Sequence, residues 1–147
     1  MTTATTSAPT SHTVVSGHRD LPIVVLCVIG AGLSIASGAI HLHLWNEVYR
    51  HISNGHLNTL FLIQAILSFV GAAAVLAMRN ILAVVATGAL LIGTYIGYLI
   101  TRYHGWFGFD PGKGIATTDA AWSMILEIVG TVVLLVTAAL MVKRPSD

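Results

Sequence analysis

The chain alternates long apolar stretches with short polar breaks. The apolar stretches cover residues 21–45, 57–78, 81–100 and 120–142. Each reaches or approaches the ~20 residues that an α-helix needs to cross the hydrocarbon core of a bilayer. None alternates with period two, as a membrane barrel strand does. The pattern predicts an all-α fold, an integral membrane antiparallel four-helix bundle over residues 21–142. Pro22 falls in the first turn of the first helix, where its missing N–H is harmless. Lys143, Arg144 and Pro145 end the last run and leave a short tail over residues 143–147.

Residues 1–20 are rich in Thr, Ser, Ala and Pro and hold little to bury, which predicts a disordered cytoplasmic tail. Ser37-Gly38-Ala39 is a passable cleavage site within the first run. The run is longer than the ~7–15 apolar residues of a signal peptide, however, and is read as a retained helix. Val25 and Leu26 precede Cys27, where a lipoprotein site needs a small residue, so lipidation there is excluded. No internal repeat stands out.

Composition sharpens the membrane reading. Only 9% of the residues are charged, against 55% hydrophobic, whereas a soluble domain carries roughly 25% charged residues. The net charge of +1 leaves no basic patch for nucleic acid. Cys27 is the single cysteine, so an intrachain disulfide and a cysteine-based zinc site are both excluded.

The turn at Arg79-Asn80 is short and positive, which predicts that it is cytoplasmic. Both termini are then cytoplasmic in a multi-pass protein of the cell (inner) membrane. Arg19, Arg79, Lys143 and Arg144 lie inside, against Arg50, Arg102 and Lys113 outside. Glu47, Asp110 and Asp119 neutralise the outer loops. Trp45, Tyr49, Tyr103, Trp106, Phe107, Phe109 and Trp122 make an interfacial belt at that same outer end. His41, His43, His51, His56 and His104 fall there too.

Small and polar residues form a stripe on each span. They are Gly30, Ser34, Ser37, Gly38, His41 and Trp45 on the first, and Gln64, Ser68, Gly71 and Val75 on the second. Ala89, Gly93 and Gly97 mark the third, flanked by Thr87, Thr94, Tyr98 and Thr101. Ala120, Ser123, Glu127, Gly130, Leu134 and Thr137 mark the fourth. Helices in lipid associate through such small residues and through polar groups that bond across the seam. The stripes therefore predict the inward faces.

Each span also offers one larger polar group at similar depth: His41, Gln64, Tyr98 and Glu127, all within ~10 Å of the outer end of the core. An isolated charge at that depth is costly, so Glu127 needs a partner, and His41 is the natural one. Across the facing stripes the two side chains are expected within about 3–4 Å, with Gln64 or Tyr98 adding a hydrogen bond. The cluster has two readings. Its groups satisfy one another and lock the register of the bundle, or they relay protons, bind a small cation or help to hold a metal ion.

His41-Leu42-His43 is a weak metal motif, because helical residues two apart point about 200° apart. A metal site would draw His51 and His56 from the following loop to His41 and Glu127. Bis-histidine haem is disfavoured, since the second, third and fourth apolar runs contain no histidine. Asn54-Gly55 and Asp110-Pro111-Gly112 read as turns, and Thr117-Thr118-Asp119 as caps for the last helix. No Ser/His/Asp or Cys/His nucleophile arrangement has a recognisable spacing, which argues against an enzyme.

Three strings, Gly38-Ala39-Ile40-His41-Leu42-His43-Leu44-Trp45, Leu60-Phe61-Leu62-Ile63-Gln64 and Gly105-Trp106-Phe107-Gly108-Phe109, resemble small four-span membrane proteins of actinobacteria. The resemblance covers about residues 20–142 and implies a fold and a membrane location. Two function classes follow from the residues. One is a module whose polar cluster handles protons or a cation. The other is a non-catalytic accessory or assembly subunit that self-associates or joins a larger membrane complex.

Overall fold

A computed structural model describes residues 21–51, 55–105 and 118–143. The expected tail over 1–20, residues 52–54 with the turn at Asn54, the whole loop 106–117 and residues 144–147 lie outside these residues.

The chain forms α1 (Leu21–Glu47), a short 3-10 turn η1 (Tyr49–His51), α2 (Gly55–Met78), α3 (Ile81–His104) and α4 (Thr118–Val142). The helices run two to four residues past the apolar runs. Local chemistry sets two of the ends. The Asn80 side chain caps α3 by accepting from the Ala83 N–H at 2.8 Å. Gly105 stops α3 in the left-handed region, φ 68°, with its N–H returned to the Thr101 carbonyl. All four helices are long and apolar enough to cross a bilayer, and large apolar residues such as Leu82, Val70 and Val132 are exposed on their outer faces. This is a small polytopic membrane protein, an all-α four-helix bundle.

The seams α1–α2, α1–α4 and α3–α4 are well packed, and α2–α3 is the thinnest of the four. Cys27, Ala31, Ala72, Val75, Val84, Leu91 and Leu134 fill the core. Small residues set the close approaches. A Cβ on Gly30 would lie 2.5 Å from Leu134, and one on Gly38 would lie 2.9 Å from the Ser68 Cβ. Ser34 donates across the first seam to the Ser68 carbonyl at 3.0 Å. Thr87, Thr94, Thr101, Thr131 and Thr137 each return their hydroxyl to the carbonyl four residues earlier, so their donors are satisfied without water.

The inward faces of α1 and α4 include the predicted stripes: Gly30, Ser34, Ser37, Gly38 and His41 are buried, as are Ser123, Glu127, Gly130, Leu134 and Thr137. On α3 the prediction holds only in part: Thr87 is buried in a seam, whereas Ala89, Gly93 and Gly97 border a cavity between the helices rather than a close contact. Its packed face is Ala83, Val84, Thr87, Gly88 and Leu91. Ala89 and Gly93 are exposed, and a Cβ on Gly93 or Gly97 would meet nothing within 4 Å. A glycine permits close approach but does not supply the neighbour, and here α2 has moved away.

Candidate functional site

At the end of the bundle that carries Trp45, the helices border a partly open cavity of about 530 Å³. All four contribute to its wall: His41 from α1, Gln64 from α2, Tyr98 from α3 and Glu127 from α4. The rest is mainly apolar, with Leu57, Phe61, Leu90 and Met124 among the residues that line it.

Helix register brings the charged pair together. Across the antiparallel α1–α4 seam, Gly30 meets Leu134 and Gly130 meets Leu33. Counting outward from these contacts sets Ser37 opposite Glu127 and His41 opposite Ser123. His41 Nε2 and Glu127 Oε1 are 3.7 Å apart, with the two side chains 8% and 2% exposed. That separation exceeds a direct hydrogen bond.

The other atoms of the pair settle its proton inventory. His41 Nδ1 donates to the Ser37 carbonyl at 2.9 Å. A carbonyl only accepts, so Nδ1 carries a hydrogen and Nε2 is the nitrogen free to gain or lose one. Glu127 Oε1 accepts from the Ser123 hydroxyl at 3.0 Å. A net charge is costly in so buried a site. The neutral arrangement is one proton shared between Nε2 and the carboxyl, either as acid beside imidazole or as carboxylate beside imidazolium. The Ser37 hydroxyl, on the α1 position level with Glu127, is fully buried and has no hydrogen-bond partner among the described residues.

Aromatic rings brace the imidazole. Phe61 stands 5.3 Å from the His41 ring and stacks on Tyr49 at 4.0 Å. The Trp45 indole N–H donates to the Asn58 side chain, which pins the end of α1 to the start of α2.

Two expectations are corrected. Glu127 takes its hydrogen bond from Ser123 rather than from Gln64 or Tyr98; Gln64 donates instead to Ser68 at 3.3 Å, four residues along its own helix. His51 and His56 do not extend the pair into a metal site. The turn η1 carries His51 outward, where its Nε2 accepts from Arg50 Nε at 3.2 Å, and His56 is exposed at the start of α2. Among the described residues no three His, Cys, Asp or Glu side chains gather as metal ligands. His43 is exposed in a shallow crevice beside Trp45 and Phe69.

Sequence reasoning placed Ser37 and Ser123 on packing stripes and missed their bonds to the pair. The missed signal is the spacing. Ser37/His41 and Ser123/Glu127 are each four residues apart, so each serine shares a helix face with its titratable group. No protein-family model, curated protein or solved structure matches this chain.

Proposed function

We propose that this protein handles protons within the bilayer, with His41 and Glu127 sharing one exchangeable proton at the wall of the Trp45-end cavity. The observation that supports it is the His41 tether: Nδ1 is held by the Ser37 carbonyl, which leaves Nε2 facing Glu127 Oε1. An intramembrane ionisable residue is expensive to keep and marks a functional site by default. In this reading the Arg79 turn and both termini face the cytoplasm of the cell membrane, and the cavity belongs to the outer half.

Infrared difference spectra across a pH titration test this in detergent and in vesicles. The expected result is a buried-carboxyl band that changes together with imidazole bands and vanishes in Glu127→Gln. A Glu127 carboxyl that stays silent across the accessible pH range, or that titrates unchanged in His41→Leu, overturns the reading. The competing reading makes the protein an accessory subunit and the polar cluster a register lock. Purification in mild detergent separates the two: a second chain retained at fixed stoichiometry supports the subunit, and a chain that purifies alone with a titrating pair supports proton handling.

A further inference from the structure

We propose that the cavity takes a membrane-dissolved primary amine, its apolar body lying in the crevice between α2 and α3 and its ammonium seated against Glu127, His41 and Gln64 in place of the shared proton. This rests on the single-proton reading of the pair.

The shape of the α2–α3 seam supplies the route. Toward the Arg79 end the two helices touch: a Cβ on Gly71 would lie 2.8 Å from the Thr87 hydroxyl oxygen. Toward the Trp45 end they part. Gly93 stands ~9 Å further along α3 and Gly97 ~15 Å, and a Cβ on either would meet nothing within 4 Å. Leu60, Ala89 and Gly93 line the cavity and are also exposed. The cavity therefore opens sideways, through the apolar flank of the bundle, onto lipid. A ligand using that opening arrives dissolved in the bilayer and needs an apolar body to match the walls.

The polar end selects the head group. Once the shared proton leaves, Glu127 offers a carboxylate and His41 the lone pair on Nε2, because Nδ1 is already engaged. Gln64 uses its amide nitrogen on Ser68, which leaves its carbonyl oxygen for the cavity that it lines. The inventory is three acceptors around one negative charge. An alkylammonium has three N–H donors and one positive charge, and it answers both. A quaternary ammonium brings the charge without a donor. An alcohol brings one donor and no charge, and a fatty acid adds a second negative charge. The Ser37 hydroxyl, buried, without a partner among the described residues and level with Glu127 across the seam, is the donor at hand when the carboxylate becomes fully charged.

The remaining charged and titratable groups around the cavity are Tyr49 from η1 and Tyr98 and Arg102 from α3; α2 contributes none. The α3–α4 contacts, Gly130 on Leu91 and Gly88 on Leu134, set Glu127 level with Thr94. Arg102 then stands at the rim, ~12 Å along the axis from that level. Exchange of a proton for an ammonium leaves the net charge of the site unchanged. One proton is released for each amine bound, and the affinity rises roughly tenfold per pH unit while the pair still holds its proton.

Isothermal titration of the detergent-solubilised protein with n-octylamine, in two buffers of different ionisation enthalpy, counts that proton. Octanol, octanoate and octyltrimethylammonium are the controls, and empty micelles give the blank. The expected result is saturable octylamine binding above the blank with one proton released and a pH-dependent affinity. Each control should bind at least roughly tenfold more weakly, as expected when buried polar groups are left unpaired. Glu127→Gln should abolish the proton release. Gly93→Phe should fill the crevice and weaken octylamine binding while the infrared signature of the pair persists. Octanol or the quaternary amine binding as tightly as octylamine, or octylamine binding without proton release, overturns the ammonium assignment. Undiminished binding in Gly93→Phe overturns the crevice. If no probe binds while Glu127 still titrates, the amine inference falls and the proton reading stands; a silent Glu127 sinks both.

Discussion

His41 and Glu127 face each other across the α1–α4 seam with Nε2 and Oε1 3.7 Å apart, and each is also bonded to a serine four residues earlier on its own helix. The pair is thus held from both sides. Neither group can swing away without breaking a local bond. Replacing either alone with Leu leaves the other unpaired, at an expected cost of roughly 1–3 kcal/mol. The double change His41→Leu with Glu127→Leu should cost less than the sum of the two. Thermal unfolding in detergent measures this, and simple additivity would mean that the two groups do not interact.

The two serine hydroxyls should behave oppositely. Ser123→Ala removes the donor to Glu127 and is expected to lose about 0.5–1.5 kcal/mol. It should also shift the Glu127 carboxyl band. Ser37→Ala removes a buried hydroxyl that has no partner among the described residues, so the resting protein should be as stable or slightly more so. Equal losses at both positions would contradict the assignment of Ser123 as the donor.

Glycines on different seams should respond differently to an added methyl. A Cβ on Gly38 lies 2.9 Å from the Ser68 Cβ and 3.3 Å from the Ala65 carbonyl oxygen. These atoms are on or next to the α2 backbone and cannot rotate away. Gly38→Ala is expected to cost about 1–3 kcal/mol by forcing α1 and α2 apart, one turn from His41. Gly93→Ala meets nothing and should stay within about 0.5 kcal/mol of the parent. Melting curves of the two variants side by side decide it.

Cys27 is 1% exposed and packed in the core. A small membrane-permeant maleimide should therefore label it at least roughly tenfold more slowly in the folded protein than in the SDS-denatured chain. Equal rates would show that α1 does not pack as described.

The helices were legible in the chain because a bilayer makes helix formation nearly a local matter. With no water to satisfy backbone groups, an apolar run of spanning length closes its hydrogen bonds internally. Hence the runs at 21–45, 57–78, 81–100 and 120–142 appear as α1 to α4, lengthened by two to four residues at polar ends. The inward faces of α1 and α4 were legible for a related reason, since polar residues such as Ser34, Ser37 and Glu127 avoid lipid whatever their partner is. Tertiary structure alone decided what depends on where a neighbouring helix stands. Gly71 and Gly93 are the same residue type on adjacent helices, yet one is pressed on Thr87 and the other borders open space. Glycine lowers the steric barrier to contact equally in both places, so only the splay of α2 from α3 distinguishes a seam from a cavity. Whether Gln64 or Tyr98 reaches Glu127 across the bundle was also undecided, because both lie at a suitable depth, whereas the Ser123 bond is local to α4 and follows from its spacing of four. The interhelical contacts, Gly30 on Leu134 and Gly130 on Leu91, fix how α1, α3 and α4 face one another, and no run of apolar residues states that.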